Sequence, residues 1–191
     1  MKIRAGSEVV DRCGALTSEL RVALERRREG ADDAGVIQAV WRGEGLGMLL
    51  WALHLGELAP YDRPFDQGRL LEPTLADPRL RAGGELESAC EAARLWHWRA
   101  RMSLLEADPS FQVPPPWRSC QELVASVAAR GYEQGLLPEP VNGDFPALGF
   151  VYRWATPPEL VELHSIAFER HLALAWVCDS DRNWDDVSLD T

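Results

Sequence analysis

Four side chains capable of acid–base or metal chemistry lie on segments that are otherwise apolar: Glu44, His97, Glu169 and His171. Helical bundles build metal and acid–base sites from inward-facing carboxylates and histidines of this kind. A buried carboxylate is either paired with a cation or shifted in pKa, and a shifted pKa suits acid–base catalysis. One hypothesis is therefore a hydrolase or a metal-dependent enzyme that uses these residues.

The motifs that normally identify such enzymes are missing. The sequence contains no Glu-x-x-His of carboxylate-bridged metal proteins, no His-Glu-x-x-His and no Gly-x-Ser-x-Gly. The four cysteines include no Cys-x-x-Cys pair, which argues against a zinc site, and we expect them to be reduced. We therefore expect neither a metal nor a cofactor. The four cysteines are Cys13, Cys90, Cys120 and Cys178.

Buried charges are usually paired, and this favours a structural interpretation of the same residues. Arg170 lies among Leu163, Ile166 and Leu174 at helical spacing, and Glu44 lies on the most apolar predicted helix. We predict that Glu44 and Arg170 are within hydrogen-bonding distance. The candidate cluster, functional or structural, comprises Glu44, His97, Arg99, Glu169, Arg170 and His171.

The C-terminal segment 179–191 is acidic but carries large apolar side chains. Asp185, Asp186 and Asp190 could bind a hard cation, but they lack the spacing and the glycine of a calcium loop. The favoured interpretation is that Trp184 and Val187 dock the segment on the helices. We predict that Trp184 is buried and that Asp185 or Asp186 accepts hydrogen bonds from backbone amides or an arginine.

The formal charge of −10 argues against nucleic-acid binding, because phosphate backbones repel an acidic surface. A basic protein is the partner that such a surface favours. No segment has the roughly 20 apolar residues of a membrane span, and the N-terminus has no apolar signal core. We expect no membrane association and a cytoplasmic location.

Apolar residues recurring at three- and four-residue steps predict a mainly α-helical fold, an irregular bundle of about five helices. Residues 1–191 are expected to form one domain, with a flexible N-terminus at 1–6 and a docked tail at 179–191. The predicted helices cover 7–29, 36–58, 85–107, 119 to about 131 or 135, and 156–178.

Residues 136–155 are the one segment with β character. Leu148, Phe150, Tyr152 and Trp154 alternate with other residues, and Asn142-Gly143-Asp144 is typical of a turn. The segment leaves room for one short hairpin. Directly after it, Thr156-Pro157-Pro158-Glu159 has the form of a capping box that begins the last helix.

Four segments resemble the signatures of the bacterial domain-of-unknown-function family 4272, and the resemblance spans about residues 7–191. The chain departs from the family pattern at 149–151 and at Ala175, where the family usually has Gly-Lys and Asn. The resemblance implies a bacterial cytoplasmic protein and no particular activity. The segments are Trp41-Arg42-x-Glu44-x-Leu46, Leu95-Trp96-His97-Trp98-Arg99-x-Arg101, Gly143-Asp144-Phe145, and Ser165-Ile166-Ala167-x-Glu169-Arg170-His171 with Asn183-Trp184-Asp185-Asp186-Val187-x-x-Asp190-Thr191.

Two functions of different classes follow from the sequence. The absence of a catalytic motif, the acidic charge and the eight tryptophans favour a non-catalytic protein-interaction module, of a regulatory or immunity type. The alternative is the hydrolase or metal-dependent enzyme. Between them lies binding of a small ligand among helices lined by Trp51, Trp96 and Trp98.

Overall fold

A computed structural model describes residues 2–75 and 79–189. Within these residues the chain forms six α-helices, one two-stranded antiparallel hairpin and two 3-10 turns, so the predicted mainly helical bundle is confirmed. The elements are α1 Gly6–Arg28, α2 Ala34–Ala52, α3 Gln67–Leu70, α4 Gly83–Glu106, α5 Cys120–Glu133, β1 Pro146–Ala147, β2 Phe150–Val151 and α6 Pro157–Cys178, with 3-10 turns at Tyr152–Trp154 and Trp184–Asp186.

Two central helices, α2 and α6, organise the packing. Helix α2 lies between α1 and α6, and α6 lies between α2 and α4. Every residue of α2 from 43 to 52 is buried, as its apolar composition predicts. A side chain at Gly47 would place its Cβ 2.4 Å from the Phe65 ring, so this glycine permits close packing. In the described part of the chain, no helix has the length and hydropathy to cross a bilayer.

Helix α2 ends at Ala52 and not at 58, which corrects the prediction. His54 adopts a φ of 60° in the left-handed region, and its N–H donates to the carbonyl of Trp51 at 3.0 Å. The N–H of Leu55 donates to the carbonyl of Leu50 at 2.8 Å. These two bonds form a Schellman C-cap, the ending that glycine normally provides. Because histidine occupies the left-handed position, the sequence gives no stop signal there.

The hairpin is shorter than the alternating pattern predicts. Leu148 and Gly149 form its turn with φ values of 57° and 80°, and Pro146 pairs with Val151. The chain then leaves the strand as a 3-10 turn at Tyr152–Trp154. The residues of the alternating pattern therefore lie in a hairpin turn, a strand of two residues and a 3-10 turn, and not in one longer strand.

Residues 2–4 of the N-terminal segment, which the sequence predicted to be flexible at 1–6, contact the C-terminal end of α6, and Met1 lies outside the described residues. Lys2 forms a parallel bridge with Asp179, and the buried guanidinium of Arg4 donates to the carbonyls of Trp176 and Asp179 at 3.1 and 2.9 Å. Carbonyls at the C-terminal end of a helix lack helical donors and attract cations. Arg4 therefore caps the end of α6, and this capping fastens the N-terminal segment to it.

Candidate functional site

The two most apolar helices each contribute one charge to a buried ion pair. Glu44 of α2 and Arg170 of α6 are almost completely inaccessible to solvent. Arg170 donates from Nε and Nη2 to Glu44 Oε2 at 2.9 and 2.8 Å, and the Phe65 N–H donates to Oε1 at 2.9 Å. The predicted pairing is confirmed, and both oxygens of the Glu44 carboxylate have donors.

Arg170 also fastens the loop between α2 and α3. Its guanidinium donates to the carbonyls of Ala59, Pro60 and Arg63 at 2.8–2.9 Å and stacks over the Phe65 ring at 4.4 Å. Loop carbonyls buried without donors would cost free energy, so the arginine stabilises this loop conformation. The contacts of the pair therefore support a structural role, while burial raises the pKa of Glu44 against the opposing effect of Arg170.

A second buried pair fastens the hairpin segment to α4. Arg99 donates from Nε and Nη2 to the two carboxylate oxygens of Asp144 at 2.7 and 3.0 Å. The N–H groups of Phe145 and Arg153 donate to the same carboxylate at 2.8 and 3.2 Å. Sequence reasoning chose Arg99 but missed Asp144 as its partner. The position of Asp144 at the end of an Asn-Gly turn indicated a turn-forming role only.

Two predicted histidines, His97 of α4 and His171 of α6, meet in the core. Their Nδ1 atoms are 3.0 Å apart, so one ring donates to the other. Burial, the facing imidazole and the nearby His164 and Arg101 lower the pKa of His97 to about 3. Burial and Arg94 lower the pKa of His171 to about 4, although Glu91 opposes this. The pair is neutral near pH 7, and the single hydrogen bond between the rings satisfies the Nδ1 atom of each.

Glu169 is the predicted residue whose surroundings differ. Its carboxyl is only 4% exposed, and its Oε2 accepts no hydrogen bond from the described residues. Burial raises the pKa of Glu169 to about 7, and Glu44 adds to the rise, while Arg42 and Arg12 oppose it. Arg42 itself binds Glu19 of α1 at 2.9 Å. Glu169 therefore has cations near it but no direct donor at one oxygen.

Glu169 lies at the junction of two surface cavities between α2 and α6, which we name the α2–α6 groove. The cavities have volumes of about 400 and 390 Å³ and share Gln38, Phe168 and Glu169. One is walled by apolar and aromatic side chains, among them Ile37 and Trp41. The other is walled by the C-terminal segment. Its remaining lining residues are Arg42, Leu172, Trp184, Asp185, Val187 and Leu189.

The C-terminal segment docks as predicted at Trp184, which is 9% exposed. Its ring meets Trp176 at a centroid distance of 5.4 Å, and the Arg12 guanidinium lies 4.2 Å above it. The Asp186 carboxylate accepts a hydrogen bond from the side-chain amide of Asn183 at 3.1 Å, and Arg182 donates to the Asp186 backbone carbonyl at 3.5 Å. Among the described residues, the predicted hydrogen bond from a backbone amide or an arginine to the carboxylate of Asp185 or Asp186 is therefore not found. Asp190 lies outside the described residues.

The structure therefore divides the predicted cluster into four places. Glu44 pairs with Arg170, Arg99 with Asp144, and His97 with His171, whereas Glu169 lines a groove and has no such partner among the described residues. Within the Arg99–Asp144 pair, Nη1 of Arg99 has no hydrogen-bond partner in the described part of the chain. Among residues 2–75 and 79–189, no group of three or more metal-binding side chains is arranged to hold an ion. The arrangement does not assemble the predicted four-residue catalytic centre.

Comparison of the chain with protein-family models, with curated proteins and with solved structures finds no match in any of the three. The resemblance to the domain-of-unknown-function family 4272 stays a prediction.

Proposed function

We propose that the protein is a non-catalytic interaction module that binds a basic segment of a partner protein in the α2–α6 groove. The observation that supports this is the buried Oε2 of Glu169, which accepts no hydrogen bond within the described chain. A buried carboxyl without a donor costs free energy, and a charged donor supplied by a ligand removes that cost.

The walls of the groove suit the side chain of a lysine or an arginine. Such side chains bury an aliphatic stem along apolar surface and present the charge at its end. Trp41 and Phe168 line the groove beside Glu169 and offer aromatic faces, which attract cations. Ile37 is 43% exposed at the same place and provides apolar contact area. A basic side chain would therefore reach Glu169 while its stem packs against this wall.

The overall charge supports the same choice of partner. A net charge of −10 attracts basic proteins over long distances and increases their association rate at low salt. With the resemblance to family 4272, we place the module in the bacterial cytoplasm, in a regulatory or immunity-type pair. Neither nucleic acid nor a membrane is proposed as a partner.

Site-specific photo-crosslinking tests this proposal. A photoreactive residue replaces the exposed Gln38 in the groove, and a control protein carries it at Leu104 on α4, which is 60% exposed. In a lysate of the source organism, we expect a basic protein to be captured at position 38 and not at position 104. Capture that is equal at both positions would contradict the groove as the binding site.

A charge-matched pair of variants sharpens the test. Glu169→Gln removes the groove carboxyl, and Glu162→Gln removes an exposed carboxyl from the same helix. We expect Glu169→Gln to abolish crosslinking at position 38 and Glu162→Gln to preserve it. If Glu169→Gln is captured as well as the wild type, the Glu169 carboxyl does not recognise the partner.

One observation favours the enzyme alternative. A carboxyl with a pKa of about 7 in a surface groove is suited to general acid–base catalysis of a hydrolytic reaction. The rate at which the protein hydrolyses ester or phosphoester substrates, measured between pH 5 and 9, would then show an inflection near pH 7. Glu169→Gln would remove this inflection. Such turnover, or stoichiometric zinc, manganese or iron in the purified protein, would favour the enzyme over the interaction module.

A further inference from the structure

The antiparallel packing of α4 against α6 brings together two cysteines that are far apart in the sequence. His97 and His171 face each other across this interface at 3.0 Å and define its register. Seven residues, about two helical turns, before His97 and after His171 lie Cys90 and Cys178. The same register therefore places the two cysteines opposite each other at the next contact.

The contacts of the thiols agree with this register. Cys178 Sγ lies 3.7 Å from the carbonyl of Leu86, which is one helical turn before Cys90 on α4. Each thiol also contributes to the pKa shift of the other, as expected for neighbouring side chains. Neither cysteine is disulfide-bonded in the structure.

We propose that Cys90 and Cys178 form a dithiol site that a hydroperoxide oxidises to an intramolecular disulfide. The site is independent of the α2–α6 groove and of the function proposed for it. Its substrate class is a small peroxide, because Cys90 is only half-buried and leaves access to a small molecule.

The environments of the two thiols assign their roles. The neighbouring Cys178 lowers the pKa of Cys90, and Arg94 acts in the same direction, while burial and Glu91 oppose them. The neighbouring Cys90 and burial raise the pKa of the Cys178 thiol. A thiolate is the nucleophile in thiol oxidation, so Cys90 reacts first.

The reaction balances in two steps. The Cys90 thiolate attacks one oxygen of the peroxide, the O–O bond breaks, and Cys90 becomes a sulfenic acid as water or an alcohol leaves. The Cys178 sulfur then attacks the Cys90 sulfur, the S–O bond breaks, and the hydroxyl of the sulfenic acid leaves as water with the Cys178 proton. Two thiols are oxidised and one hydroperoxide is reduced.

The other two cysteines are internal controls. Cys13 is completely buried, and burial alone raises the pKa of its thiol to about 12, so it is unreactive. Cys120 is half-buried at the first position of α5. Neither is proposed to react with Cys90 or Cys178.

Mass spectrometry of the full chain under non-reducing conditions tests the site. After hydrogen peroxide treatment and alkylation of free thiols, we expect a dithiothreitol-reversible link between the peptides of Cys90 and Cys178, with Cys13 and Cys120 alkylated. Because the link closes a long loop of the unfolded chain, the melting temperature of the oxidised protein should rise by several degrees. A link to another cysteine, or free Cys90 and Cys178 thiols after both peroxide and diamide, would overturn the proposal.

Two variants test the order of the steps. In Cys178→Ser, the sulfenic acid of Cys90 cannot be resolved, so dimedone should label Cys90 after peroxide treatment. In Cys90→Ser, neither a disulfide nor dimedone labelling of Cys178 is expected. Equal labelling of the two cysteines in the two variants would show that Cys90 is not the preferred nucleophile and would overturn the assigned roles.

Discussion

Glu44 and Glu169 are both buried carboxyls at the interface of α2 and α6, yet their surroundings differ. Glu44 receives two hydrogen bonds from Arg170 and one from the Phe65 N–H. Glu169 has an oxygen without any donor among the described residues and lies where two surface cavities join. Burial is therefore common to both residues, and hydrogen bonding is what separates them.

This difference supports a structural role for Glu44 and is the basis of the binding role that we propose for Glu169. A buried charge that has all its donors stabilises what it contacts, and here Glu44 with Arg170 fastens the loop after α2. Asp144 also has donors at both oxygens and, with Arg99, fastens the hairpin segment, while Nη1 of Arg99 has no partner among the described residues. A buried carboxyl that lacks a donor lowers stability, and proteins retain such strain mainly at functional sites.

The largest predicted effect is that of a substitution that leaves the Glu44 carboxyl without its cation and so makes it resemble Glu169. Arg170→Leu removes two donors from Glu44 and leaves three loop carbonyls without a partner. We expect the free energy of unfolding to fall by about 3–5 kcal/mol. Urea denaturation of the variant and the wild type measures this, and a loss below about 1 kcal/mol would contradict a structural role.

The double variant Glu44→Leu with Arg170→Leu is the control for this substitution. Exchanging both members of a buried pair for apolar residues often costs little. Here we expect recovery of only part of the loss, because Ala59, Pro60 and Arg63 still lack the donor that held their carbonyls. Full recovery would mean that the loop does not depend on Arg170.

The second prediction tests whether the hairpin pair is equally structural. Asp144→Asn keeps the shape of the side chain but removes the charge that Arg99 contacts at 2.7 and 3.0 Å. We expect the free energy of unfolding to fall by about 2–4 kcal/mol, because a buried guanidinium loses its counter-charge. Urea denaturation again provides the measurement. Asp186→Asn, in the exposed part of the C-terminal segment, should have little effect on it.

The third prediction removes one wall of the α2–α6 groove. Deletion of 183–191 takes away Trp184, which is buried against Trp176 and under Arg12. We expect a loss of about 2–3 kcal/mol and a melting temperature lower by several degrees. Differential scanning calorimetry measures both. An unchanged melting temperature would show that the segment is not structural, and its aspartates would become candidates for binding.

Sequence patterns predicted the contacts that depend on helix faces. Glu44 and Arg170 could be paired because each interrupts an apolar face, and such charges need partners. The contact between His97 and His171 could not be predicted, since the register of α4 against α6 is set by tertiary packing. Asp144 was missed because a turn residue gives no sign of burial.

Glu169 shows the same limit on the candidate site. Although Glu169 was a candidate for an inward-facing site, it shares a polar stripe of α6 with Glu162 and Ser165, so helical spacing alone does not show that it is buried. Glu169 is buried because the C-terminal segment folds over it and because α2 approaches α6 closely at Gly45. A Cβ atom added at Gly45 would lie 3.5 Å from the Glu169 carbonyl oxygen. Only the fold reveals that this carboxyl is buried and short of a donor.

The smallest predicted effect is a pH-dependent difference in unfolding free energy between the wild type and Glu169→Gln. The pKa of Glu169 is raised from 4.5 to about 7, so below pH 4.5 its carboxyl is protonated in both the folded and the unfolded protein. As pH rises to 7, the unfolded chain ionises more readily, and the folded protein loses stability relative to it. Glu169→Gln stays neutral throughout. We expect its unfolding free energy to match the wild type at pH 4.5 and to exceed it by roughly 1–3 kcal/mol at pH 8.

Urea denaturation of both proteins between pH 4.5 and 8 measures this difference. The lowered pKa values of His97 and His171 act in the opposite direction, because stability that depends on neutral imidazoles is lost as pH falls below 6.5. Both proteins keep these histidines, so their contribution cancels in the difference. Glu162→Gln, exposed on the same helix, should differ from the wild type by the same small amount at every pH. If Glu169→Gln behaves like Glu162→Gln, the folded protein already satisfies the ionised carboxyl, and Glu169 belongs with Glu44 as a structural residue.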